Sequence, residues 1–207
     1  MPGGCQKAKG TNRRLRYLSF EESSYLLDAC DKRMKPIVIF ALNTGCRRGE
    51  ILGLTWDRVD LTHGFIHLND TKSGKRREIP INTDVREALK GVVKKTGSPY
   101  VFVNPAAATD ENGKLHNGGR YSDVKKSFAT ACQKAGISDF HFHDLRHTFA
   151  SQLVMNGVDI TTVSKLLGHA NLTMTLRYAH LAPNHLQNAV DVLSKLSSAH
   201  EKTKGHA

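Results

Sequence analysis

Apolar positions along most of the chain recur every three to four residues, the period of helices with one buried face. Ser19 and Glu22 form a capping-box pattern, with Tyr25, Leu26 and Ala29 following at helical spacing, so a first helix is expected to start at Ser19. Proline suits a first turn, which places a second helix from Pro36 to near Gly45. Residues 48–54 read as a short third helix. The period then changes. Phe65-Ile66-His67-Leu68 and Glu78-Ile79-Pro80-Ile81 read as short strands around a polar turn, Thr71-Lys72-Ser73-Gly74-Lys75-Arg76-Arg77, which carries four positive charges. Residues 84–95 return to a helical pattern, 100–103 suit an extended segment, and 104–120, rich in Gly and Asn, suit a loop.

Further helices are expected over 122–133, stopped by Gly136, and over 144–156, with Leu145, Phe149 and Leu153 on one face and Gly157 at the end. Residues 161–167 follow, ended by Gly168. Another helix is expected from near Thr173 and a last one over 184–196. The pattern predicts a mostly α fold with one small antiparallel β-sheet (α+β). Residues 1–17 read as a basic, glycine-containing arm, 18–197 as one folded domain, and 198–207 as a polar tail.

Charge narrows the partner. The 207 residues hold 30 Lys+Arg against 19 Asp+Glu, a net +11, which points to a polyanion: nucleic acid or an anionic membrane surface. The longest apolar run, Pro36-Ile37-Val38-Ile39-Phe40-Ala41-Leu42, is far shorter than the ~20 residues of a spanning helix. No secretory signal pattern opens the chain. Cys5, Cys30, Cys46 and Cys132 are scattered without a C-x-x-C pair, which fits a reducing cytoplasm better than a disulfide framework or zinc site.

Phosphodiester exchange without metal needs guanidinium groups to meet charge on the non-bridging oxygens, a proton donor for the leaving oxygen, and help in ionising the nucleophile. Four segments offer these parts. In Thr44-Gly45-Cys46-Arg47-Arg48-Gly49-Glu50, Gly45 allows a sharp turn and Glu50 shares a helical face with Arg47. An ordinary surface ion pair has the same spacing. In the basic turn, Lys72 suits a proton donor, while Lys75, Arg76 and Arg77 read as a solvated run that holds phosphates; Lys72 fits either reading. In His143-Asp144-Leu145-Arg146-His147, a proton-handling group lies beside a cation. With His141, the same stretch offers a rival zinc reading, but it lacks cysteine partners and matches no common structural spacing. Finally, Leu167-Gly168-His169 is followed nine residues later by Tyr178. Alone, such a tyrosine is ordinary core.

Taken in order, these elements resemble the tyrosine recombinase family, also called phage integrases, over about residues 18–196. The family pattern is an Arg in T-G-x-R-x-x-E, a hairpin Lys, H-x-x-R, L-G-H, and a Tyr nine residues on. The resemblance implies that Tyr178 attacks phosphorus and becomes linked to the DNA 3′ phosphate. It implies that Arg47 and Arg146 clamp the non-bridging oxygens, with Glu50 supporting Arg47. Lys72 would protonate the departing 5′ oxygen, His143 would assist proton transfer at the tyrosine, and His169 would hydrogen-bond the phosphate. Arg13, Arg14, Lys75, Arg76 and Arg77 are the expected DNA-backbone contacts. No cofactor, metal, small-molecule substrate or membrane is expected. The partner is double-stranded DNA, with a homotetramer on DNA that exchanges the 184–196 helix in trans. Family members usually carry a helical N-terminal domain ahead of this region, so the chain reads as a catalytic fragment or a natural minimal form.

Three rivals share features with this reading. A type IB topoisomerase has the same chemistry, but its active site is spaced differently from the L-G-H to Tyr segment. A DNA-binding regulator without chemistry would not need candidates at all six catalytic positions. A metal-dependent nuclease would need an acidic cluster that the sequence lacks.

Overall fold

A computed structural model describes residues 15–69, 76–104, 106–110 and 115–183. Helix α1, Phe20–Ala29, starts on the expected capping box. Ser19 Oγ accepts from the Glu22 N–H at 3.1 Å, and Glu22 Oε2 accepts from the Ser19 N–H at 2.9 Å. Helix α2, Met34–Thr44, starts earlier than Pro36 because Asp31 Oδ1 accepts from the Arg33 and Met34 N–H groups and serves as the cap. Pro36 then sits in the first turn, where its missing N–H has no intrahelical partner to lose.

Gly45 ends α2 at φ 60°. A Cβ there would overlap the Phe149 ring, so only glycine permits both the turn and the close approach. Helix α3, Arg48–Leu52, follows directly.

The sheet has three antiparallel strands in the order β1 (Val59–Asp60), β2 (Phe65–Asn69), β3 (Arg76–Pro80). Strand β1 is two residues long, too short to show alternation, and it was not expected from the pattern. Ile66 faces Ile79, and Leu68 faces Arg77. Helix α4, Thr83–Lys90, stops at Gly91, short of residue 95.

Helices α5 (Lys125–Lys134), α6 (Asp144–Met155) and α7 (Ile160–Leu167) complete the helical part. α6 is the central post. Leu145 and Phe149 are buried as expected, but so are Arg146, His147, Thr148, Ala150 and Ser151, so the helix is enclosed on most sides. Leu145 belongs to the large cluster built on α1, α2, the sheet, α4 and α5. Phe149, Ala150 and Val154 belong to a second cluster with Val163, Leu167 and Tyr178. Burying one such aliphatic or aromatic side chain contributes about 1.5–3 kcal/mol, which fixes α6 as the common wall between the two.

The arm is tied down at its end. Arg16 pairs with Glu22 at 2.6 Å, the Leu18 N–H donates to Thr148 Oγ1 at 3.1 Å, and Gln152 Nε2 donates to the Leu18 carbonyl at 2.9 Å. Residues 172–183 also depart from expectation. Instead of an α-helix from Thr173 there are two 3-10 turns, Leu172–Met174 and Leu176–Leu181. Arg13, Arg14, Lys72, Lys75 and the 184–196 segment lie outside the described residues.

Candidate active site

The α2–α3 corner places Arg47 as the cap residue of α3, in extended backbone conformation. Glu50 holds it at both ends: Oε2 accepts from the Arg47 N–H at 2.7 Å, and Oε1 from Nη1 at 2.9 Å. Arg47 still keeps 41% of its side-chain surface open.

Arg146 projects from α6 and is buried. Its Nη1 donates to the Gly45 carbonyl at 2.6 Å and its Nη2 to the Leu167 carbonyl at 2.7 Å. Two corners of the chain thus set its direction. Burial, and then the Arg47 and Arg77 charges, push its pKa down to about 10, so it remains a cation at neutral pH.

Gly168, at φ 64°, ends α7 and turns the chain so that His169 reaches the same space. His169 Nδ1 lies 2.7 Å from Thr175 Oγ1. Burial and the surrounding guanidinium groups hold His169 down at about 4, so the ring is neutral at neutral pH. A neutral ring that accepts from Thr175 at Nδ1 carries its proton on Nε2, the form that donates to a phosphate oxygen.

Tyr178 sits in the 3-10 turn Leu176–Leu181 and is buried. Its hydroxyl is 2.6 Å from His147 Nδ1. Burial and the neighbouring His143 hold His147 at about 4, so the ring is neutral, and with its proton on Nε2 it accepts the phenol proton at Nδ1. Burial also raises the Tyr178 pKa above its ordinary value, opposed by Arg177 and Arg146. His143 caps α6, and its ring meets the His147 ring edge-on at 5.2 Å. Burial and Arg146 lower its pKa.

These side chains converge. One cavity of about 450 Å3 is lined by Arg47, His143, Arg146, His147, His169, Arg177 and Tyr178, with Asn171, Thr173 and Met174 completing the wall. Every expected catalytic position that the structure describes is on it. The space holds guanidinium groups, neutral imidazoles and one phenol, a set suited to an anionic phosphate.

Two placements differ from the sequence reading. The group in contact with the phenol is His147, not His143; His147 entered only through the zinc alternative. Among the described residues no group of three His, Cys, Asp or Glu side chains is placed to hold a metal ion, and His141 instead lies 3.5 Å from Asp144 Oδ2. Arg77 does not share the solvated turn. Arg76 is exposed, but the Arg77 side chain is only 11% exposed and bonds to Glu50 and the Leu167 carbonyl. Alternation with Ile79 puts it on the inner face of β3 rather than among the exposed charges of the turn. That alternation was the signal in the sequence, masked by the run of charges around it.

Comparisons with known proteins place the chain in a family. The phage integrase family model matches residues 16–185. The integrase of Salmonella phage P22 is 38% identical over 182 residues, covering 84% of this chain and 46% of that protein. The chain thus spans about half the length of such relatives. The solved catalytic domain of bacteriophage HP1 integrase is 34% identical, with a TM-score of 0.64 over 86% of this chain and 95% of that domain. The Tn1549 transposon integrase, solved in complex with circular intermediate DNA, shares the fold at 22% identity and a TM-score of 0.65, covering 90% of this chain and 68% of that one. With the phage integrase model matching residues 16–185 and a relative 38% identical, the chain belongs to the phage integrase family.

Proposed function

We propose that this chain is the catalytic part of a tyrosine recombinase that cuts and rejoins double-stranded DNA at specific sites. The observation that carries the reading is the single cavity shared by Tyr178, Arg47, Arg146, His143 and His169. The phosphate takes the place between Arg47 and Arg146, whose forks neutralise charge on the non-bridging oxygens as it grows. Tyr178 Oη attacks phosphorus, the phenol proton passes to a histidine, and the 5′ oxygen leaves with a proton from Lys72. The product is a 3′ phosphotyrosine and a free 5′ hydroxyl.

Attack by the 5′ hydroxyl of another duplex reverses the chemistry and exchanges strands. The bond energy is conserved in the phosphotyrosine, so the cycle balances without a nucleotide cofactor. In the resting cavity, a neutral His147 and a raised phenol pKa both keep the proton on Tyr178. An entering phosphate offsets the excess positive charge and favours proton uptake by the imidazoles. Arg13, Arg14, Lys75 and Arg76 supply further backbone contacts, and four copies assemble on DNA with the 184–196 segment passed in trans.

The test is a library of nicked duplexes randomised around the nick, incubated with the protein and run on a denaturing gel. A covalent adduct that persists in EDTA and vanishes in Tyr178→Phe is expected. DNA binding with no adduct would favour a regulator, and cutting that stops in EDTA would favour a nuclease.

A further inference from the structure

Arg77 is set apart from the other cations of the site. It does not line the cavity, yet it lies directly behind it. On β3 it pairs with Leu68 and shares the inner face with Ile79. A charge withdrawn from water is costly unless it is paired and hydrogen-bonded. Arg77 has both kinds of partner: Nη2 donates to Glu50 Oε2 at 2.9 Å, and Nη1 donates to the Leu167 carbonyl at 2.7 Å.

Each partner also serves a second guanidinium. Glu50 holds Arg47 through its backbone and its side chain. The Leu167 carbonyl holds Arg146 at 2.7 Å. The fit around Arg77 is tight: a Cβ on residue 168 would overlap Arg77 Nη1 and lie 2.9 Å from its Cδ. The glycine of Leu167-Gly168-His169 therefore makes room for Arg77 as well as turning the chain.

We propose that Arg77 is a positioning residue: from behind the cavity it joins the Glu50 carboxylate to the Leu167 carbonyl and so fixes the spacing of Arg47 and Arg146. The proposal rests on the phosphate-clamping reading above. Arg47 and Arg146 carry like charge and repel, while a phosphate needs both at a set separation. A misplacement of about 1 Å can cost about 10²-fold in rate. The planar fork of arginine spans two acceptors at once, whereas a lysine ammonium is a point charge that cannot hold both in one geometry.

The test compares wild type, Arg77→Gln and Arg77→Lys on a nicked duplex enriched from the randomised library. Three quantities are read: single-turnover adduct rate at saturating DNA, DNA affinity with its salt dependence, and Tm. R77Q is expected to cut about 10²-fold more slowly, and R77K more slowly than wild type but less so than R77Q. DNA affinity should stay within about threefold and the salt slope should not change, because Arg77 neutralises no phosphate. A folded variant with the wild-type rate overturns the proposal. So does a loss of affinity with a salt slope reduced by about one, the mark of a direct phosphate contact. If R77Q gives no thermal transition, R77K, which keeps the charge, decides. No Tyr178 adduct in wild type would sink the phosphate-clamping reading and this role with it. An adduct in wild type with an undiminished R77K would sink this role alone.

Discussion

The two walls of the cavity are built in different ways. On one, Arg146 is anchored to the Gly45 and Leu167 carbonyls, and Arg47 is anchored at both ends to Glu50. These anchors sit on α2, α3, α6 and α7, where helix ends and glycine corners leave little freedom. On the other wall, Tyr178 rides on short 3-10 turns whose Leu172, Met174 and Leu176 side chains are exposed. Among the described residues, side-chain bonds join Tyr178 to His147 on α6 and Thr175 to His169 in the turn after α7. The difference teaches that the cations are set by helix ends and glycine corners, while the nucleophile is set by burial in the second cluster and its bond to His147. On the proposed function, the phosphate clamp must persist while the tyrosine passes between free and DNA-linked forms.

The largest effect is expected from the fixed wall. Arg146→Lys should slow adduct formation by on the order of 10³-fold, since one ammonium cannot replace the fork. It should also cost about 1–3 kcal/mol in urea unfolding, because one of two buried carbonyls loses its donor. Next, Gly168→Ala should cost at least about 1–2 kcal/mol from its left-handed backbone alone. The overlap with Arg77 adds to that cost, and this added part should vanish when the same change is made in Arg77→Ala.

On the tyrosine's wall, His147→Phe leaves the buried phenol without an acceptor and should cost about 1–3 kcal/mol. In a Tyr178→Phe background the same substitution should cost less, and a double-mutant cycle measures the difference. A further effect is on pH dependence. His147 and His169 sit at about 4 in the folded chain against 6.5 when unfolded. Their contribution to stability is therefore complete above about 6.5 and is lost as pH falls toward 4, since the unfolded chain takes up protons first. Denaturant midpoints across that window should fall with pH, and less so in His147→Phe.

The fixed wall was largely legible in the sequence. Thr44-Gly45-Cys46-Arg47 and His143-Asp144-Leu145-Arg146 carry their geometry in local spacing: a glycine corner, a cap and a helical repeat. The capping box of α1 was equally readable. What the spacing could not show were contacts between distant segments. Nothing local says that Arg77 meets Glu50 and Leu167, because that depends on how β3 packs against α7. The His147–Tyr178 bond likewise joins residues 31 positions apart. The 3-10 form of residues 172–181 was also hidden, since its apolar spacing suits an α-helix and tertiary packing decides between them.

The most direct measurement is the mass of the covalently bound peptide. Trypsin cuts after Arg177, so Tyr178 opens its own peptide. Digestion of an adduct formed in EDTA should yield that peptide with the phosphonucleotide on its first residue. A nucleotide on any other side chain, or wild-type cleavage with none attached, would contradict the assignment of Tyr178 as the nucleophile.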